Sequence, residues 1–253
     1  MAAPTNVIDV AFVTCSAGTA LQTKMHRPIS VLIGILFITC MSCNHVAPPK
    51  VVSKVVTDTT LLRHIAATNC HFVDTALALL RSGDIVVRRG IGAESTLLAM
   101  MNRKDKTYSH CGIVMIEHGY PFVYHSIGGE DNPDARLRRD SASFFFSPVH
   151  NLAIAVVRYD YDSAKVGRLR GIVAAYYKQR PRFDMKFDLT TDSELYCSEF
   201  VYKAVNRAVA DTSYIGTSSM RRGRFVGIDD LYLDRHARVV WQTKFKQYLC
   251  SQK

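Results

Sequence analysis

The chain has 253 residues, 48% of them hydrophobic and 21% charged, so we predict one folded domain of moderate size and exclude wholesale disorder. The net charge of +10 favours anionic surroundings, but the basic residues are scattered and accompany no nucleic-acid-binding motif, so we expect no nucleic-acid partner. The seven cysteines do not make the even framework of a small disulfide-rich protein.

The N-terminal segment has the form of a secretion signal. A short basic start at Met25–Pro28 precedes the apolar stretch Ile29–Thr39, which is too short for a comfortable membrane span. Ser42 then stands before Cys43, as in a bacterial lipoprotein signal that is cut and lipidated at the cysteine. We therefore predict an N-terminal extension and signal peptide at residues 1–42, lipidation of Cys43 and export to the cell envelope. An uncleaved anchor is the alternative, and Met25 is an alternative start.

The next segment is a tether that leads into the folded domain. Residues 43–57 contain two prolines and several polar residues between two patterned regions, whereas residues 58–253 carry the regular apolar patterns of a domain. Apolar residues at helical spacing predict a first helix over Thr60–Leu80. A turn and strand are expected over Leu80–Arg88, and a helix over Glu94–Met101.

Two neighbouring β-branched runs predict a hairpin. His110 stands at the start of the first run, and Pro121–Ser126 forms the second after the turn-like Glu117–Tyr120. Residues at the outer ends of a short hairpin lie side by side, so His110 and His125 are expected to be neighbours. One histidine can then orient the other.

Beyond the hairpin, the pattern predicts a loop, a strand and a helix. The polar segment Gly128–Arg139 is expected to be an exposed loop, and Leu152–Arg158 to be a strand. Asp162 is expected to cap a helix that ends near Pro181. Closing turns near Ile228–Leu231 and a last strand at Val239–Trp241 complete the chain.

A strongly amphipathic helix follows Cys197. The apolar positions after it fall on one helical face, and Thr191 with Glu194 has the spacing of a capping box, so we expect the helix to begin just before the cysteine. A cysteine in the first turn is favoured as a thiolate by the helix dipole and is then a nucleophile. The alternative is that Cys197 is a small buried hydrophobe.

Five short segments in this order carry a resemblance to a known family. They are Gly83-Asp84-Ile85-Val86, Ser109-His110-Cys111-Gly112-Ile113-Val114, Val123-Tyr124-His125, Phe183-Asp184 and Tyr196-Cys197-Ser198-Glu199-Phe200. Residues 79–235 resemble the YiiX/YaeF-type permuted papain-fold hydrolases of the NlpC-like superfamily, which are similar in layout to lecithin retinol acyltransferase. The histidine precedes the cysteine here, as in the permuted family.

The resemblance implies a fold and a set of site residues. The expected fold is α+β, a circularly permuted papain-like fold whose antiparallel sheet packs against helices, with the nucleophile at a helix N-terminus. The implied roles are nucleophile for Cys197, general base for His110 and orienting third residue for His125. Glu130 or Asp131 in the following loop is the alternative third residue. Asp184 matches an acidic position of the family, but a turn or cap role is preferred for it.

Two classes of activity agree with this site, and no cofactor or metal is expected in either. The first is a cysteine hydrolase that cleaves amide bonds in peptidoglycan peptides or related amino-acid conjugates. The second is a lipid acyltransferase or thioesterase of the lecithin retinol acyltransferase type. An inactive binding module is a third alternative, against which the presence of Cys197 and His110 counts. The expected partners are peptidoglycan or a small acyl-containing substrate, with membrane attachment through a lipidated N-terminus.

Overall fold

The computed structural model describes residues 59–128, 134, 136–220 and 223–247. Within these residues the chain is α+β. Its elements are α1 (Thr59–Leu79), β1 (Ile85–Gly90), α2 (Ala93–Met101), β2 (His110–Glu117), β3 (Tyr120–His125), β4 (Arg138–Ser141), α3 (Ala142–Phe145), β5 (Asn151–Tyr159), α4 (Ser163–Gln179), α5 (Cys197–Val209), β6 (Ser218–Met220), β7 (Gly223–Phe225), α6 (Ile228–Tyr232) and β8 (Ala237–Lys244).

A six-stranded sheet forms the centre of the described chain. Its strand order is β4-β3-β2-β1-β5-β8, and each neighbouring pair is antiparallel. The β2–β3 hairpin turns at His118 and Gly119, whose φ angles of 50° and 84° place both residues in the left-handed region. Two positive φ values match the right-handed twist of the flanking strands, so the turn sets the hairpin register.

Helices cover both faces of the sheet. On one face, which we call the α5 face, Ile85, Val87 and Ile113 pack with residues of α4 and α5 such as Leu169 and Phe200. On the other, the α3 face, the neighbouring residues Val86 and Val114 pack with residues of α1 and α3. Adjacent strand residues point to opposite faces, which explains why the buried part of each central strand is a continuous apolar run, such as Ile85–Val87 in β1.

Most of the predicted elements are confirmed. The first helix, the strand after the Gly83 turn, α2, the β2–β3 hairpin, β5, α4 and the last strand all lie where the patterns predict them. Asp162 caps α4, because its side chain accepts a hydrogen bond from Lys165 N–H at 2.7 Å. The apolar face of α5 is buried as expected, including Phe200 and Val205.

Three local predictions are wrong. The helix α5 begins six residues after Thr191, and its N-terminus is closed by Tyr196 and Glu199 rather than by Thr191 and Glu194. The predicted loop extends to Arg139, but its last two residues, Arg138 and Arg139, already belong to strand β4 (Arg138–Ser141), because the edge of β3 offers hydrogen-bonding partners. Residues Ile228–Tyr232 form a short helix rather than turns. No helix among the described residues is long and apolar enough to cross a membrane.

Candidate active site

Cys197 is the first residue of α5. The preceding residue, Tyr196, is extended, with φ −84° and ψ 168°, and its N–H donates to Glu199 Oε2 at 3.2 Å. The Tyr196 hydroxyl in turn accepts a hydrogen bond from Val226 N–H at 2.9 Å, which anchors the start of the helix to a distant segment. Backbone N–H groups of a first turn have no partner within the helix, and they face the region of Cys197 with the positive end of the dipole.

The thiol of Cys197 is close to a second thiol. Its exposed fraction is 7%, and it packs in the same buried cluster as Cys111. Hydrogen-bonding interaction with the Cys111 thiol, together with the N–H groups of Cys111 and Ser198, lowers the pKa of Cys197, against the opposite effect of burial. Burial and the same thiol–thiol bond raise the pKa of Cys111 well above its ordinary value. The pair therefore favours a thiolate at Cys197 and a protonated thiol at Cys111.

Two histidines and a carboxylate form a chain of hydrogen bonds at the same end of the sheet. His110 Nε2 lies 2.8 Å from His125 Nδ1, which confirms that the two residues are neighbours across the hairpin. His125 Nε2 lies 2.9 Å from Asp140 Oδ2 on β4. The other oxygen of Asp140 accepts a hydrogen bond from Arg138 at 2.9 Å. We call His110, His125 and Asp140 the histidine relay.

The electrostatics of the relay keep its histidines neutral and its carboxylate charged. Burial lowers the pKa of His110 well below its ordinary value, and nearby Arg88 and His125 act in the same direction. Burial also lowers the pKa of His125, although Asp140 opposes this effect. For Asp140, burial acts to raise the pKa, but hydrogen bonds from His125 and Arg138 lower it overall. A neutral imidazole is the form that accepts a proton from a thiol.

Phe145 of α3 covers the relay. Its ring centroid lies 5.7 Å from that of His110 and 5.3 Å from that of His125, with the His125 ring nearly perpendicular to it. Arg88 stands over the same ring at 5.0 Å and donates to Asn151. An aromatic cover excludes water from the hydrogen bonds beneath it, which strengthens them.

The histidine relay and the Cys197 thiol lie on opposite faces of the sheet near the start of β2. His110 and Cys111 are consecutive in an extended strand; Cys111 packs with Cys197 on the α5 face, whereas His110 contacts Phe145 on the α3 face. Within the described residues no hydrogen bond joins His110 to Cys197. The structure therefore brings His110 to His125, and brings Cys197 to the residue next to His110.

A small pocket opens beside Cys197. Its volume is about 30 Å³, which is enough to hold ordered water. Its wall is mostly apolar and is formed by residues from α2, the segment before α5 and the segment before α6, among them Leu98, Met101, Phe183, Phe187, Phe225 and Ile228. A substrate must displace some of these side chains to reach the thiol.

A larger cleft lies at the opposite end of β1. Its volume is about 500 Å³, and it is lined by polar residues such as Arg81, Asp84 and Tyr161. Arg158 and Asp84 form an ion pair at 2.8 Å in its wall. None of the sequence-predicted site residues contributes to this cleft, so its size alone does not identify the site.

The remaining candidates lie elsewhere. Asp184 is buried and accepts hydrogen bonds from the N–H groups of Lys186 and Asp188, at 2.7 and 2.5 Å, so it closes the turn as the preferred interpretation states. Glu130, Asp131 and Cys43 lie outside the described residues.

Sequence reasoning missed Asp140, Phe145 and the partner thiol Cys111. Asp140 follows two arginines in a polar segment, and no periodic pattern marks it as part of a strand. The position of Cys111 next to His110 in a predicted strand did carry a signal, because alternation places the two side chains on different faces.

Comparison with known proteins adds evidence on the fold. No protein-family profile matches the chain, and no curated protein matches it. Among solved structures, the crystal structure of the metalloprotein YiiX from Escherichia coli O157:H7 is similar, with a TM-score of 0.54 and 15% sequence identity. The match covers 65% of this chain and 98% of that one. The chain therefore has a YiiX-like fold.

The description of YiiX as a metalloprotein prompts a test of the residues present here. Among the described residues, no group of three or more His, Cys, Asp or Glu side chains is arranged to hold a metal ion. The relay also uses three of the four ring nitrogens of His110 and His125 in hydrogen bonds to each other and to Asp140. The described site does not fit a resident metal.

Proposed function

We propose that this protein is a cysteine hydrolase in which Cys197 is the nucleophile, His110 the general base and His125 the residue that orients it. The proposal rests above all on one observation, the position of Cys197. It is the first residue of a helix, its pKa is lowered, and it lies beside the strand end that carries the histidine relay. The YiiX-like fold supports it at the level of architecture.

The proposed reaction begins with proton transfer from Cys197 Sγ to His110. Neutral His110 takes the proton, and the thiolate attacks an acyl carbonyl to form a tetrahedral intermediate. The N–H of Cys197, which as a first-turn group has no partner within α5, stabilises the oxyanion. The imidazolium then protonates the leaving group, and water releases the acyl group from the enzyme. A general base must lie within hydrogen-bond reach of the proton or one water away from it. His110 projects from the α3 face and the Cys197 thiol lies on the α5 face, so this step requires His110, the first residue of β2, to turn around the strand end toward the thiol when substrate binds.

The leading substrate class is an amide, in a peptidoglycan peptide or a related amino-acid conjugate. A second candidate, hydrolysis or transfer of a lipid acyl group, is favoured by the pocket wall. That wall is mostly apolar, and on α2 the neighbouring side chains of Leu97 and Met100 are 66% and 60% exposed. An apolar wall, with exposed apolar side chains on the same helix, binds an acyl chain more readily than a charged peptide.

The test compares both substrate classes with matched variants. We expect the full chain to cleave either purified peptidoglycan peptides or a fatty-acyl thioester, with products identified by mass spectrometry. Changing Cys197→Ala abolishes turnover, and His110→Ala lowers kcat/KM on the order of 10²-fold or more, because general base catalysis contributes 10²–10⁴-fold. The matched controls Cys70→Ala and His71→Ala, both exposed on α1, retain full activity. Undiminished turnover by Cys197→Ala would show that this cysteine is not the nucleophile.

Export and lipidation at Cys43 are part of the same proposal. A lipidated N-terminus would hold the enzyme at the envelope, where its net charge of +10 favours anionic cell-wall polymers or phospholipid headgroups. The circular permutation and the boundaries at residues 42 and 57 stay predictions from the sequence.

A further inference from the structure

The histidine relay has a direction that follows from its acceptors and donors alone. Asp140 receives a hydrogen bond on each of its two oxygens, from Arg138 on Oδ1 and from His125 on Oδ2. An ionised carboxylate only accepts hydrogen bonds. His125 Nε2 must therefore carry the proton in its contact with Asp140.

The protonation of His125 decides that of His110. A neutral imidazole carries one N–H, so His125 with a proton on Nε2 has a bare Nδ1. That nitrogen lies 2.8 Å from His110 Nε2, which must then be the donor. In neutral His110 a proton on Nε2 leaves Nδ1 bare.

We propose that Asp140 is a positioning residue that, acting through His125, fixes His110 in the tautomer whose Nδ1 is free to accept a proton. This inference rests on the proposed function for its catalytic meaning, since the bare Nδ1 is the atom that would take the proton of Cys197 once His110 turns toward the thiol. The tautomer itself does not depend on any activity.

The geometry that places Asp140 is specific to the β3–β4 pairing. Asp140 stands opposite Val123, two residues from His125 along β3, so Asp140 and His125 project from the same face. Arg138 stands directly opposite His125 and holds the second oxygen of Asp140. Phe145 then closes the space over both histidines. The strand register and the hydrogen bond from Arg138 thus both fix the position of the carboxylate that contacts His125.

The variant Asp140→Asn reverses the direction of the relay. Arg138 only donates, so it selects the amide oxygen of the new side chain and leaves the NH₂ group facing His125 Nε2. His125 then carries its proton on Nδ1 and donates to His110 Nε2. His110 is left with a proton on Nδ1, and it can no longer accept one from the thiol there.

The test is nitrogen-15 NMR of the imidazole rings in the full chain at pH 7.5, with signals assigned by comparison with His110→Gln and His125→Gln. We expect bare Nδ1 and protonated Nε2 in both His110 and His125 of the unchanged protein. In Asp140→Asn we expect the opposite tautomer in both rings, with protonated Nδ1 and bare Nε2. The same variant lowers kcat/KM by about 10²–10⁴-fold, the usual contribution of a general base. The control Asp134→Asn, an exposed carboxylate paired with Arg180, changes neither.

The two proposals fail in different ways. If the unchanged protein shows a proton on His110 Nδ1, or if a folded Asp140→Asn keeps the original tautomer, the inference about Asp140 is overturned whatever the activity. If the tautomers behave as expected but no substrate is cleaved, the relay stands and the proposed function does not. The measurement on the unchanged protein decides the matter even if Asp140→Asn does not fold.

Discussion

At the scale of single residues, the unusual feature is the contact between two thiols. Cys197 receives hydrogen bonds from the Cys111 thiol and from backbone N–H groups, whereas Cys111 is fully buried in the core. The donor lowers the pKa of the acceptor because it stabilises the thiolate. The reactivity of Cys197 therefore depends on a side chain that belongs to the core of the sheet.

We predict that Cys111→Ala raises the pH at which Cys197 is alkylated at half its maximal rate. The substitution removes the strongest of the interactions that lower the pKa of Cys197 and leaves burial, which raises it. Cys111→Ser keeps a hydroxyl donor, so its midpoint pH is expected to lie between those of Cys111→Ala and the unchanged protein. The measurement is the rate of iodoacetamide labelling of Cys197 against pH, followed by mass spectrometry. An unchanged midpoint in Cys111→Ala would contradict the role of the thiol–thiol bond.

At the scale of elements, the β2–β3 hairpin controls the distance between the two histidines. Gly112 lies between His110 and the core of β2, and a Cβ atom there would stand 2.5 Å from Val123 Cγ1, 2.8 Å from Tyr124 O and 3.0 Å from His125 Cβ. One of these neighbours is backbone, which cannot move without displacing β3. A glycine is required here for close approach of the two strands.

We expect Gly112→Ala to lower the free energy of unfolding by about 1–3 kcal/mol, the usual cost of overpacking, and to impair turnover by separating His110 from His125. The control is Gly167→Ala on α4, where a Cβ meets nothing within 4 Å and the helix gains about 0.5–1 kcal/mol. Urea unfolding measures both. Equal stability of Gly112→Ala and the unchanged protein would show that the strands tolerate a wider spacing.

At the scale of the whole molecule, the buried histidines couple folding to pH. Burial lowers the pKa of His110 and His125, with Arg88 and Arg138 acting in the same direction and Asp140 opposing them at His125. In the unfolded chain a histidine takes up a proton near pH 6.5. Between that pH and the lower folded values the unfolded state binds more protons, so stability rises with pH.

The contribution of the two histidines to the free energy of unfolding therefore has its maximal value above about pH 6.5. Below that pH the free energy of unfolding decreases, by up to about 1.4 kcal/mol per pH unit for each histidine. We predict that His110→Gln loses about half of this dependence between pH 6.5 and 5.5, whereas His71→Gln, on the exposed surface of α1, keeps it. Denaturant unfolding at each pH measures the slope. If His110→Gln and the unchanged protein have the same slope, His110 is not buried in its neutral form.

The elements of this protein follow from its sequence because local rules determine them. Helical spacing after Cys197, β-branched runs around His110 and a two-residue turn at His118 act over a few residues, and they were enough to predict α5, the hairpin and the contact of His110 with His125. Register across a short turn needs no information from the rest of the chain.

Only the tertiary structure decided which distant residues complete the site. Asp140 reaches His125 because β4 pairs with β3 in one register, and Cys111 meets Cys197 because α5 packs on one face of the sheet, 86 residues along the chain from β2. Packing of this kind depends on the shapes of many side chains at once, and no periodic pattern in a single segment encodes it. The nucleophile candidate was thus determined locally, whereas the groups that lower its pKa and those that hydrogen-bond the two histidines were determined by the fold.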